Sequence, residues 1–414
     1  MKHQKLTAFS AALTLLVSMT GCTGPTAAAK TVALTQNLKA EQVQGLDPDA
    51  EFLSGQNAFA FTLMQNAAKD APGSNILISP FSLMQVLALT ANGAGGETRA
   101  EIEQMLGGIP ADTLNKYLYS YRTNMPDTEK ARFHTANSVW LREEKGTFPA
   151  KETFLHAASD YYGAEIYSSP FDNKAVEIVN KWCSDNTAGM IPKLIDAFSE
   201  ESVMMLINAV IFDAKWESPY ENEPSKHQFR TASGQEKECS MMYSQELYLE
   251  DEAAEGFWKP YADGYAFAAI LPKNDLSPEE YLAQQTPDSL NALLHDIEQP
   301  EYANTGLPQF KLEYTTNLIP ILKEMNMNSA FGGNADFSGI ADSQLNIGTI
   351  MQKAVIEVNT EGTKAAAATV EVLDSALAPE TEHEVILDRP FLYMIVDTDT
   401  MLPIFTGILN TPES

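Results

Sequence analysis

The sequence predicts an α+β fold, and three stretches carry that prediction. Ala354-Val355-Ile356-Glu357-Val358 alternates apolar and polar side chains in the manner of a half-buried strand. Met204 to Phe212 is an almost unbroken apolar run, as expected of a strand covered on both faces. Asn57 to Ala68 sets Phe59, Leu63 and Ala67 beside Ala60 and Met64 on one helical face. No βαβ unit repeats along the chain, which argues against the two similar α/β lobes of a transporter's solute-binding lipoprotein.

The 414 residues are enough for one large domain or two ordinary ones, and 44% apolar with 20% charged residues is a globular balance. The formal charge of −29 repels phosphate backbones, so nucleic acid is excluded as a partner. Lys2 and Lys5 precede a short apolar run from Leu6 to Met19, too short for a permanent span. That run ends in Met19-Thr20-Gly21-Cys22, which resembles a lipobox cleaved before a lipidated Cys22. The expected organisation is a signal peptide over 1–21, a lipidated N-terminus and flexible Ala/Thr/Gln-rich tether over 22–46, and one domain over 47–414. Cleavage would remove Lys2 and Lys5 and no acid, taking the charge from −29 to −31. Thr23, in place of Asp after the cysteine, permits outer-membrane sorting in a diderm bacterium, so an exported, membrane-anchored protein is expected. Only Cys183 and Cys239 remain in the body, which is no disulfide framework; Cys183 beside Trp182 reads as a small buried thiol, and pairing of the two stays open.

Along the body, Ile76-Leu77-Ile78 is a short apolar strand broken by Ser79-Pro80, after which Ser82 opens a helix through Leu89. Gly93-Ala94-Gly95-Gly96 follows a helix-like run rather than a strand, so it is a loop and not a phosphate cradle. Thr135 to Leu141 reads as an interior strand, Val176 to Thr187 as a helix, and Ala266–Pro272 and Leu307–Leu312 as further strands. Leu318 to Met325 is helical, and Leu392–Val396 with Pro403–Leu409 makes a buried hairpin turning at Asp397-Thr398-Asp399.

Between these elements lies Thr360-Glu361-Gly362-Thr363, where Gly362 supplies a hinge able to take a positive φ. Ala365, Ala366, Ala367 and Ala368 follow, then Thr369. Alternate positions Thr363, Ala365, Ala367 and Thr369 carry small side chains that would fit a crowded sheet interior, so the segment is a loop that could also become a strand.

EGTKAAAAT resembles the reactive-loop hinge of the serpins, and further matches run in order from about Gly55 to Pro412. They include Asn75 to Ser82, the Gly93–Thr98 loop, Asn180 with Trp182, Asn208 with Trp216, and Ala335 to Ile340. The resemblance implies the serpin fold: a large, mostly antiparallel central sheet, further sheets, eight to nine helices and an exposed reactive loop over about 360–384. It implies that Ser79, Ser82, Asn208, Trp216, Gln309 and Gln352 sit where the sheet must open. It implies a monomeric suicide inhibitor of serine endopeptidases, forming a covalent complex when the loop is cut and inserts as a strand. Family spacing puts the scissile bond at Ala376–Leu377, with Leu377–Ala378 as the alternative. Small apolar residues there, and no Lys or Arg from Ala365 to Asp388, suit elastase-, chymotrypsin- or subtilisin-like pockets; papain-like cysteine proteases stay open.

Four positions depart from the family pattern. Thr360 and Gln309 stand where a Glu–Lys pair is usual, Gln352 replaces a histidine, and Glu371 has the inward parity of Thr363. Members that act as binding or carrier modules typically place charged or bulky residues, or proline, in the hinge; small residues here favour inhibition. No nucleophile elbow, P-loop or paired His with metal spacing occurs, so neither catalysis, cofactor nor metal is expected.

Overall fold

The computed structural model describes residues 29–39, 41–295, 301–363 and 381–413. The chain runs through β1 (Val32–Ala33), α1 (Ala50–Asp70), β2 (Ile76–Ile78), α2 (Pro80–Ala91), α3 (Gly96–Met105), α4 (Ala111–Asn124), β3 (Ala131–Arg142), α5 (Glu152–Tyr162) and β4 (Glu165–Ser169). It continues with α6 (Asn173–Asn186), β5 (Met204–Lys215), β6 (Ser225–Arg230), β7 (Glu236–Glu250), β8 (Ala254–Pro260), β9 (Tyr265–Pro272), α7 (Pro278–Gln284), α8 (Pro287–His295) and β10 (Tyr302–Pro308). The last elements are β11 (Phe310–Asn317), α9 (Ile319–Glu324), β12 (Thr349–Val358), β13 (Gly362–Thr363), β14 (His383–Ile386), β15 (Phe391–Asp397) and β16 (Pro403–Leu409).

Two sheets organise these elements, with nine α-helices among the described residues, and the fold is α+β as expected. The first sheet has the order β1-β4-β3-β5-β13-β12-β11, and β5 and β12 also pair directly. It is mixed rather than purely antiparallel, because β3–β4 and β5–β12 run parallel. The second sheet runs β14-β10-β7-β8-β9-β15-β16-β2, with β6 on β7.

The helices cover the first sheet on both faces, which is why its central strands read as apolar runs. The helix expected after Ser79-Pro80 is present as α2, but it starts before Ser82: Ser79 caps it and Pro80 opens it. The N-terminus of α2 lies beneath β5 and β12. On the opposite face, α6 sets Val179, Trp182 and Cys183 against Trp140, Ile207 and Val355.

Two expectations need correction. The segment 22–46 is not a free tether throughout: Val32 and Ala33 pair with Ser168 and Tyr167, the Leu34 amide donates to the Ile166 carbonyl at 2.7 Å, and Leu34 and Leu38 pack on the core. The open edge of β4 offers unpaired backbone groups, and this stretch satisfies them. Leu307–Leu312 is not one strand either. Pro308 ends β10 in the second sheet and Phe310 starts β11 in the first, with Gln309 carrying the chain across.

Candidate functional site

At the end of β12 the chain turns back on itself. The Asn359 side-chain oxygen accepts from the amides of Glu361 (2.9 Å) and Gly362 (3.2 Å), and the Asn359 amide donates to the Gly362 carbonyl at 2.9 Å. Such an Asx turn is a local device for reversing a strand. Gly362 and Thr363 then enter between β5 and β12, antiparallel to both: Gly362 opposite Lys215, Thr363 opposite Ala214 and Val358. A side chain at Gly362 would put its Cβ 2.1 Å from the Ala214 carbonyl oxygen, with φ at +156°, so only glycine fits. Thr363 is fully buried, and its hydroxyl meets the Tyr261 hydroxyl at 2.5 Å. Burial pushes the Tyr261 phenol well up, keeping it neutral.

The turn is gripped from the side. The Trp216 amide donates to the Glu361 carbonyl (3.0 Å), its indole Nε1 to the Asn359 carbonyl (2.9 Å), and the Tyr220 amide to the Thr360 carbonyl (3.1 Å). Trp216 stacks flat on Tyr261, with ring centroids 4.2 Å apart. Thr360 is thus held through its backbone, and Gln309 and Asn359 line one hollow beside it.

Below Thr363 the sheet is closed, and β5 pairs with β12 from Met205–Thr349 to Ile211–Val355. Asn137, Asn208 and Gln352 are register partners across β3, β5 and β12 and form a polar row over the start of α2. The Gln352 carbonyl accepts from the Ser79 amide (2.9 Å), while its NH2 donates to the Ser79 carbonyl (3.0 Å) and to Asn208 Oδ1 (2.8 Å). Asn208 Nδ2 donates to Asn137 Oδ1 (2.6 Å), to the Ser82 carbonyl (3.1 Å) and to the Ser82 hydroxyl. Ser79 Oγ donates to the Ile404 carbonyl at 2.7 Å. All five side chains are buried, so each bond is shielded from water. The Gln352–Asn208 bond crosses the seam between β5 and β12.

Ser79, Ser82, Asn208 and Gln352 therefore form one network, while Trp216, Thr360, Glu361, Gly362 and Thr363 form another above it. Asn137 and Tyr261 belong to these networks and were not singled out by sequence. Asn137 shows only as an amide inside an apolar strand, and its register with Asn208 is a tertiary fact. Cys22, Ala365, Ala366, Ala367, Ala368, Thr369, Glu371, Ala376, Leu377 and Ala378 lie outside the described residues. Cys183 and Cys239 are both free and buried, which settles their pairing. Among the described residues no cluster of His, Cys, Asp or Glu could hold a metal ion, and no helix is long and apolar enough to cross a membrane.

Residues 54–412 match the family described as Serpin (serine protease inhibitor). An uncharacterized serpin-like protein of Methanosarcina acetivorans is 30% identical, over 88% of this chain and 89% of that one. Alpha-1-antichymotrypsin of Homo sapiens is 29% identical, over 91% and 92%. The crystal structure of tengpin, a thermophilic serpin, in its native state superposes with a TM-score of 0.86 at 37% identity, covering 92% of this chain and all of that one. With the hinge, the seam and this match over nearly its whole length, the chain belongs to the serpin family.

Proposed function

We propose that the protein is an inhibitory serpin that traps serine endopeptidases of elastase-, chymotrypsin- or subtilisin-like specificity as a suicide substrate. The observation that carries this is the seated hinge: Thr363 already forms the first rung of a strand between β5 and β12, and the alternate residues after it are small. The protease serine Oγ attacks the carbonyl carbon of Ala376, or of Leu377 in the alternative register. The C–N bond breaks, the new amine takes a proton from the protease histidine, and the loop arm stays esterified to the serine. Insertion of the arm from Thr363 to Ala376, fourteen residues and so about 46 Å at about 3.3 Å per residue, then carries the acylated protease along the sheet. Signal cleavage before Cys22 and lipidation there would hold the inhibitor as a monomer at the cell envelope, in the outer membrane, guarding it against exogenous proteases.

Mixing the protein with an elastase-type protease tests the central claim. An SDS-resistant adduct and a released peptide beginning at Leu377 or Ala378 are expected. Cleavage of the loop without any adduct, across proteases of all three specificities, would refute inhibition. Lipid labelling lost in Cys22→Ser tests the anchor.

A further inference from the structure

At the root of the hinge, Thr360 and Gln309 carry no charge, yet an ion pair is buried close by. Lys259, on β8, has 2% of its side chain exposed, and Glu246, on β7, 9%; Lys259 Nζ donates to Glu246 Oε1 at 2.5 Å. The same Nζ donates to the Ser218 carbonyl at 3.1 Å, and lies 4.3 Å from the Tyr220 ring centroid and 5.3 Å from that of Trp216. Apart from Glu246, all of these partners belong to the segment 216–220.

That segment therefore has two sides. One gives three hydrogen bonds to the turn Asn359–Glu361, through Trp216 and Tyr220. The other is pinned by Lys259, through a carbonyl and two aromatic faces. A buried ammonium is tolerable only where its partners surround it, so this pair is satisfied in one placement of the segment and penalises any other. Tyr261, two residues beyond Lys259, stacks on Trp216 and meets the Thr363 hydroxyl, so strand end, clasp and hinge form one connected body.

We infer that Lys259, held by Glu246, is a positioning residue for loop insertion: it fixes the clasp 216–220, and the clasp aims the hinge between β5 and β12. This rests on the proposed inhibitory function for its effect on trapping, but not for its effect on the hinge.

The test is the double variant Lys259→Met, Glu246→Gln, which removes both charges and leaves no orphan charge. Native-state hydrogen exchange is read at the amides of Gly362 and Thr363 and, for comparison, in β9 and β15. The expected result is exchange roughly tenfold faster at the hinge, about one hydrogen bond's net worth, with β9 and β15 protected as in the parent. Stoichiometry of inhibition should rise several-fold, because insertion then loses ground to deacylation. Unchanged exchange at Gly362 and Thr363 in a folded variant overturns the inference. If the double variant fails to fold, Trp216→Phe cuts the clasp from its other side, removing the bond to Asn359 while keeping a stacked ring; the same acceleration is expected, and its absence overturns the inference. A parent chain that traps no protease refutes the inhibitory function, while the exchange comparison still decides the clasp.

Discussion

Replacing Gly362 with alanine puts a methyl group 2.1 Å from the Ala214 carbonyl oxygen and 2.7 Å from Lys215 Cα. Both are backbone atoms of a central strand, so no side chain can swing away. β13 would have to retreat by roughly 1 Å to reach even a 3.0 Å contact, and that stretches its ladder bonds beyond useful length. The hinge then loses its pairing with β5 and the Thr363–Tyr261 bond. Three hydrogen bonds at about 0.5–1.5 kcal/mol net each come to about 1.5–4.5 kcal/mol. On that scale seating of the hinge weakens by about one to three powers of ten. Because the same clash persists at every stage of insertion, the loop should be cut normally but trap poorly. Stoichiometric titration against the target protease, with gels for cleaved chain, reads this directly: at least a tenfold rise in stoichiometry, with the urea midpoint of the uncleaved chain little changed. Parental stoichiometry in Gly362→Ala would refute the claim that the loop enters in this register. Glu361→Ala is the matched control, since Glu361 meets the clasp through its backbone carbonyl, and it should inhibit as the parent does.

Gln352→His replaces a side chain that satisfies both backbone groups of Ser79 and also bonds Asn208. Burial would hold the new imidazole's native pKa below its unfolded value of about 6.5, so stability present above pH 7 should fall as pH drops through that value; a parent showing the same slope would refute this. Burial pushes the Cys183 thiol up to about 12 and Cys239 to about 11, so in a chain lacking Cys22 neither should react with a thiolate-seeking disulfide reagent at pH 8, and both should after unfolding. Deleting residues up to 39 bares the edge of β4 and should lower stability by about 1–3 kcal/mol in urea titration, whereas deletion up to 28 should not; equal midpoints would contradict the docked strand.

Where local chemistry decides structure, the sequence was legible. The strand Ile76–Ile78 stops at Ser79-Pro80 and a helix follows, because proline cannot continue a ladder yet suits a helix start, and Met204–Phe212 is apolar because both faces are covered. The hinge was legible as a loop with strand potential, but not as one already seated, because that depends on β5 and β12 parting above Val355 and Ile211. Lys259 and Glu246 were illegible for another reason. In a chain with 56 acidic and 27 basic residues, a lysine and a glutamate thirteen positions apart look like solvated surface until β7 and β8 fold against each other. Val32–Ala33 escaped notice because two residues show no periodicity; the unpaired edge of β4 supplies the reason for that strand.

Extending the register of β13 shows what insertion would gain and where it would meet resistance. The seam is a parallel pairing of β5 and β12, while β13 is antiparallel to both, so an inserted strand replaces one parallel ladder with two antiparallel ones. Continuing from Thr363 opposite Ala214 and Val358, Thr369 would arrive opposite Asn208 and Gln352, where its hydroxyl can bond the amides that insertion separates. Two residues later Glu371 would arrive opposite Leu206 and Ile350, both fully buried, as is Met204 at the start of β5. A carboxylate there has no water to reach, and protonating it at pH 7 costs about 4 kcal/mol from an ordinary value near 4.3. On the proposed mechanism, Glu371 would therefore brake the last third of insertion. In the loop-cleaved chain the inserted form binds the extra proton, so its stability should rise as pH falls from 7 toward about 4.3, and Glu371→Gln should flatten that slope. Glu371→Ala should raise the thermal midpoint of the cleaved chain at pH 7 and lower the stoichiometry of inhibition. A cleaved parent with no such slope, matched by an unshifted Glu371→Ala, would mean that insertion stops at or before Thr369.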